Sequence, residues 1–128
     1  MTKPHVQEVK IVGQEGALDV DTLATEQCVT GEIDTSTATS PVTVLTPSAG
    51  KKIDTRSVYL ATDSTSGEIW AKFQNSGKLL GKIYCSKFAM VRLDSVHIQG
   101  DQDEAVVVEW SGLDSGAKIF YVIRYKEV

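Results

Sequence analysis

Glu68-Ile69-Trp70-Ala71-Lys72-Phe73, then Gln74-Asn75-Ser76-Gly77, then Lys78-Leu79-Leu80-Gly81-Lys82-Ile83-Tyr84-Cys85 is the stretch that decides the fold class. In its first part apolar and polar residues alternate. Ile69, Ala71 and Phe73 fall on one face of a pleated strand, and Trp70 falls on the other between Glu68 and Lys72. Four turn-forming residues follow, and then a second run with β-forming residues returns. Strand, turn, strand is the reading.

The same grammar extends in both directions. Upstream, Ile53 to Ala61 reads as a strand and Thr62 to Gly67 as a turn. Pro41 leads into the strand Val42 to Leu45, and Thr46 to Gly50 turns again. Downstream come Phe88 to Leu93, Val96 to Ile98, an acidic turn at Gly100 to Asp103, and two closing strands, Ala105 to Trp110 and Ala117 to Tyr125. Gly, Ser, Asp, Asn and Thr recur too often for any run to complete three helical turns. The pattern predicts an all-β, antiparallel two-sheet sandwich, jelly-roll-like, of about eight strands.

The first forty residues are less regular. Val6 to Val12 reads as a strand, and Asp19 to Val29 fits either a short strand or an irregular arm. Gly31 to Ser40 is polar and rich in Thr and Ser, and reads as a loop or extended arm. The expected organisation is one domain, with an N-terminal arm and first strands over residues 1–40 and the sandwich core over 41–128.

Two closing segments are apolar at consecutive positions: Val106-Val107-Val108 and Ile119-Phe120-Tyr121-Val122-Ile123. A strand apolar on both faces is covered on both. One cover is the opposite sheet; the other is a loop, the N-terminal arm or another subunit. This is the sequence's physical pointer to oligomerisation.

Composition bounds function. A chain of 128 residues is one domain in length, and 41% apolar with 23% charged residues argues against disorder throughout. The net charge of −4 and scattered Lys and Arg, adjacent only at Lys51-Lys52, argue against a nucleic-acid surface. No apolar run reaches the ~20 residues that span a bilayer, and the first residues lack a signal-peptide core, so neither a membrane nor export is expected. Cys28 and Cys85 form no CxxC pattern and read as two reduced, buried thiols. On strict alternation Cys85 shares a face with Leu79 and Ile83.

Catalytic motifs are not found. There is no Gly-x-Ser-x-Gly elbow, and Ser48 to Lys52 lacks the spacing of a phosphate loop and reads as a turn. His5 lies near the terminus; His97 reads as a surface or satisfied structural residue within a strand. Asp19-Val20-Asp21 and Asp101-Gln102-Asp103-Glu104 read as solvated acidic turns rather than calcium loops. No pair of carboxylates is singled out, and no cofactor or metal is expected. Two aromatics are the candidate contact residues: Trp70, flanked by charges on a polar face, and Tyr59. For Trp70, a protein or sugar contact and packing beneath a loop or arm fit equally well. Trp110 ends an apolar strand and reads as core.

Pro41 to Ile53, Arg56 to Ile69, Ser76-Gly77-Lys78, Tyr84 to Phe88 and the closing strand near Tyr121 to Tyr125 together resemble small virion proteins of tailed bacteriophages of Gram-positive hosts. The resemblance covers residues 41 to 128 and contains no catalytic signature. It implies a structural protein of the particle, either a capsid decoration (cement) protein or a tail module that binds a receptor or carbohydrate. Decoration proteins of this kind are commonly trimers that contact the major capsid protein with an N-terminal arm over the shell. What such a protein does on a particular fold must still be argued from its own surface.

Overall fold

The computed structural model describes residues 25–87, 90–94 and 97–128. Among these, nine strands form two antiparallel sheets. They are β1 (Gln27–Asp34), β2 (Val42–Leu45), β3 (Ile53–Thr62), β4 (Glu68–Phe73), β5 (Leu79–Tyr84), β6 (Met90–Leu93), β7 (Ile98–Gln99), β8 (Val106–Ser111) and β9 (Lys118–Glu127). One sheet has the order β1-β9-β3-β6, with the two-residue β7 also paired to β3; the other has the order β2-β8-β4-β5. Setting β7 aside, the first strand pairs with the last, the second with the next to last, and so inward to β4 with β5. A long hairpin rolled onto itself gives this nesting, and the fold is a jelly roll.

The core lies between the sheets. Ile69, Ala71 and Phe73 of β4 are completely buried, as the alternation predicts, and they meet Leu60, Leu80, Val106, Val108, Ile119 and Ile123. Each large side chain of this kind contributes about 1.5–3 kcal/mol by leaving water. Trp110 packs against the rim of the same core.

Three expectations need correction. Gly31 to Asp34, expected in a loop or arm, is strand: β1 pairs with β9 without a break from Gln27 opposite Tyr125 to Asp34 opposite Lys118. Its polar appearance has a cause. β1 is an edge strand, Ile33 is its one fully buried side chain, and Gly31 leaves room for the Tyr121 ring to lie across the strand. The face of Leu79 is also reversed. The register slips between Ala71 opposite Gly81 and Lys72 opposite Leu79, a β-bulge that turns both Leu80 and Gly81 inward and leaves Leu79 52% exposed. Cys85 therefore does not share a face with Leu79. Finally, both thiols are free but not both buried: Cys28 is exposed on the outward side of β1, opposite Arg124, and Cys85 is half-buried. Burial pushes the Cys85 thiol pKa up, which keeps it in the unreactive protonated form.

The strand read at Val6 to Val12, the ambiguous segment from Asp19, His5 and the Asp19-Val20-Asp21 pair lie outside the described residues, apart from residues 25–29. Phe88 and Val96 do too, so only Met90–Leu93 and Ile98–Gln99 of those two expected strands can be compared.

Candidate functional site

Each sheet turns one face outward, and the two candidate contact residues lie on opposite ones. Trp70 belongs to the β2-β8-β4-β5 sheet. Opposite it stand Lys82 on β5 and Glu109 on β8. Its indole N–H donates to Glu109 Oε1 at 2.7 Å, and the Lys82 ammonium lies 5.1 Å from the ring centroid and 5.2 Å from that of Tyr84. Lys72 pairs with Glu109 at 3.3 Å and Lys82 with Glu68 at 3.4 Å. Burial pushes the Lys82 pKa down, but Glu68, joined by Tyr84, outweighs it and leaves the ammonium above the ordinary lysine value. The indole N–H is committed, one ring face is occupied by a cation, and the charges around it pair with one another. Tyr84 is the open aromatic here, 73% exposed.

Tyr59 sits at the centre of the other outward face. Register places its neighbours in rows across the β1-β9-β3-β6 sheet. One row reads Glu32, Phe120, Ala61, Met90; the next reads Thr30, Val122, Tyr59, Arg92. Directly opposed residues share a face in antiparallel pairing, so Phe120, Ala61, Met90, Val122 and Tyr59 form one contiguous apolar patch. Phe120 is 37% and Met90 52% exposed. This is the second face of the doubly apolar last strand: Phe120 and Met90 lie exposed on it, and Tyr59, Ala61 and Val122 are half-buried. The other such strand differs: all of Val106, Val107 and Val108 are buried, with Val107 outside the main core.

Beyond the patch, a bulge between Thr55 and Ser57 leaves Arg56 without an opposing residue on β9. Arg56 pairs with the buried Asp54 at 3.0 Å, and His97, expected inside a strand as a surface or structural residue, lies just before β7, exposed, with Nδ1 3.6 Å from the same carboxylate. Arg92 pairs with Asp94 at 3.1 Å. Arg56, His97 and Asp94, with Arg124, border a polar hollow of about 450 Å³.

The acidic run near residue 101, expected as a solvated turn, is exposed at Asp101 to Asp103 but not at Glu104. Asp103 accepts from the Gly50 N–H at 2.6 Å, while Glu104 turns into the protein and is completely buried. Its Oε1 accepts from the Asp101 N–H at 2.7 Å and its Oε2 from the Asn75 N–H at 2.6 Å and from the Ser76 N–H. Burial pushes this carboxyl up, but the backbone donors of Asp101, Ser76 and Asn75 outweigh it and hold its pKa below the usual glutamate value. Among the described residues no three His, Cys, Asp or Glu side chains are grouped to hold a metal ion. No helix among them is long and apolar enough to cross a membrane.

Tyr59 is legible in the sequence as a candidate; Phe120, Met90 and Arg124, which stand near it on the same face from other strands, are not. The available signal was the unbroken apolar run Ile119 to Ile123, whose odd members face the core and whose even members face out.

No family model matches the chain. No curated protein matches it either. Among solved structures the chain is similar to one in the cyanophage Pam1 capsid asymmetric unit, with a TM-score of 0.48 and 13% sequence identity over 80% of this chain and 85% of that one.

Proposed function

We propose that the protein is a structural component of a phage virion, a capsid decoration protein that binds the major capsid protein, as a trimer, and works by contact rather than by chemistry. The single observation that carries the reading is the outward face of the β1-β9-β3-β6 sheet. It has an apolar centre of Phe120, Tyr59, Met90, Val122 and Ala61 and a rim containing Glu32, Arg92 and Arg124. Aromatics, Met and Arg at the centre and edge of a patch are the composition of a protein interface. Exposed apolar groups in register across three strands gain about 25 cal/mol for each Å² a partner covers. The resemblance of residues 41–128 to virion proteins of phages of Gram-positive hosts supports the same reading. A protein that binds only the assembled shell stabilises it by mass action.

The test is sedimentation of the purified protein with undecorated shells of its phage, together with its solution mass by light scattering. Co-sedimentation at a saturating, fixed stoichiometry and a trimeric mass are expected. A monomer that stays in the supernatant overturns the reading.

A tail module binding a receptor carbohydrate is the second reading, favoured by one observation: Tyr84 is widely exposed beside Lys82 and Trp70. Retention on glycan beads that is lost in Tyr84→Ala and Trp70→Ala would establish it in place of the first.

A further inference from the structure

We propose that the outward face of the β1-β9-β3-β6 sheet seats one extended segment of the partner protein, apolar where it meets Phe120 and acidic where it meets Arg124. The inference rests on the assembly reading above and adds the chemistry of the partner.

Three depressions on this face join into one trough. The first lies beside Phe120, Ala61 and Tyr59. The second shares Tyr59 with it and adds Val122, Ser57 and Arg124. The third shares Ser57 and Arg124 with the second and ends at Arg56 and His97. The trough therefore follows β3 from Ala61 past Ser57. At about 3.3 Å per residue, that length seats roughly five or six residues of extended chain.

The trough is not uniform. Its Phe120 end is mostly apolar, with Asp63 and Lys87 at its margin. Toward the other end stand three arginines, and their pairing differs. Arg56 is held by Asp54 and Arg92 by Asp94. The Arg124 side chain takes part in no ion pair or hydrogen bond with the described residues; it lies exposed on β9, between the apolar stretch and the Arg56–His97 end. Glu26 and Asp94 also line that end; Asp94 is committed to Arg92, and Glu26 forms no ion pair with Arg124. A guanidinium presents a planar fork of donors that fits a carboxylate with two parallel hydrogen bonds. A segment with an apolar residue at one end and Asp or Glu at the other meets both features at once.

The experiment measures binding of the full-length chain to undecorated shells of its phage, at low and at high salt. Phe120→Ser and Arg124→Gln are expected to weaken binding about tenfold or more each, with Arg124→Lys intermediate, since it keeps the charge and loses the fork. Arg124→Gln is also expected to flatten the salt dependence. Lys72→Gln, on the other sheet, is expected to bind as the wild type does. All these side chains face outward, and circular dichroism with melting confirms that each variant is folded. If the wild type binds and Phe120→Ser weakens it, but Arg124→Gln matches the wild type at both salts, the acidic half of the inference is overturned and the decoration reading stands. If Lys72→Gln alone weakens binding, the face is wrong. If the wild type does not bind shells, the reading beneath the inference fails with it.

Discussion

Glu104→Gln is expected to lower stability at neutral pH by about 3 kcal/mol although it leaves side-chain volume nearly unchanged. Both carboxylate oxygens of Glu104 accept backbone N–H groups, from Asp101 on one side and from Asn75 and Ser76 on the other. Glutamine supplies one acceptor and one donor. Its amide N–H therefore faces a backbone N–H in either orientation, inside a site with no solvent exposure. The loss reaches two turns together, the one joining β4 to β5 and the one preceding β8, because this side chain ties them. For a chain of this length about 3 kcal/mol lowers Tm by roughly 10 °C, which a melting curve resolves. An unchanged Tm would contradict the role of the carboxylate.

The same tie has a pH signature. The folded-state pKa of Glu104 lies below its ordinary value of about 4.3, so the tie is at full strength above that value and is lost as pH falls through the lower folded pKa. Asp114, held down by the Thr65 N–H and the Ser66 and Thr65 hydroxyls, and Asp34, held down by Ser36, have the same sign. Wild-type stability is therefore expected to drop on acidification, and the gap between it and Glu104→Gln to narrow below about pH 4.

Gly67→Ala is the second large effect. Gly67 opens β4 with φ of +85°, in the left-handed region that costs an L side chain roughly 1–2 kcal/mol. A Cβ there would also press into the Ser111 carbonyl and the Gly112 backbone, which have no rotamer through which to yield. Overpacking against fixed atoms adds about 1–3 kcal/mol. The Ser66 hydroxyl donates to Gly112 at 3.1 Å and the Cys85 N–H to the Gly67 carbonyl at 2.8 Å, so a shift there disturbs β4, β5 and β8 together. Gly77→Ala is the control: its φ of +75° carries the same backbone cost, but a Cβ there meets nothing within 4 Å. Denaturant unfolding is expected to rank Gly67→Ala well below Gly77→Ala; equal stabilities would mean that the packing cost is absent.

These residues also mark what the sequence makes legible. Wherever a strand buries one clean face, as β4 does with Ile69, Ala71 and Phe73, alternation places it and the two-sheet class follows. β1 escapes because an edge strand with one buried residue has no period to read. Leu79 is misplaced because the bulge at Leu80–Gly81 breaks the alternation, so the residue before it lies on the face opposite to that of Ile83. Glu104 lies in an acidic run that looks solvated; nothing local distinguishes the one carboxylate that turns inward. The proposed interaction face is hidden for another reason. Tyr59, Met90 and Phe120 become neighbours only when the last strand inserts between the first and third, and a list of strands does not contain their order. Tyr59 and Trp70, paired as candidates on chemistry alone, prove to face opposite ways.

The most direct test of the proposed assembly face is hydroxyl-radical labelling of the protein free and bound to shells, with each side chain read by mass spectrometry. Met90, Phe120 and Tyr59 are predicted to lose labelling on binding, while Tyr84 and Leu79, exposed on the other sheet, keep it. Protection of Tyr84 and Leu79 with Met90 and Phe120 still labelled would contradict the account.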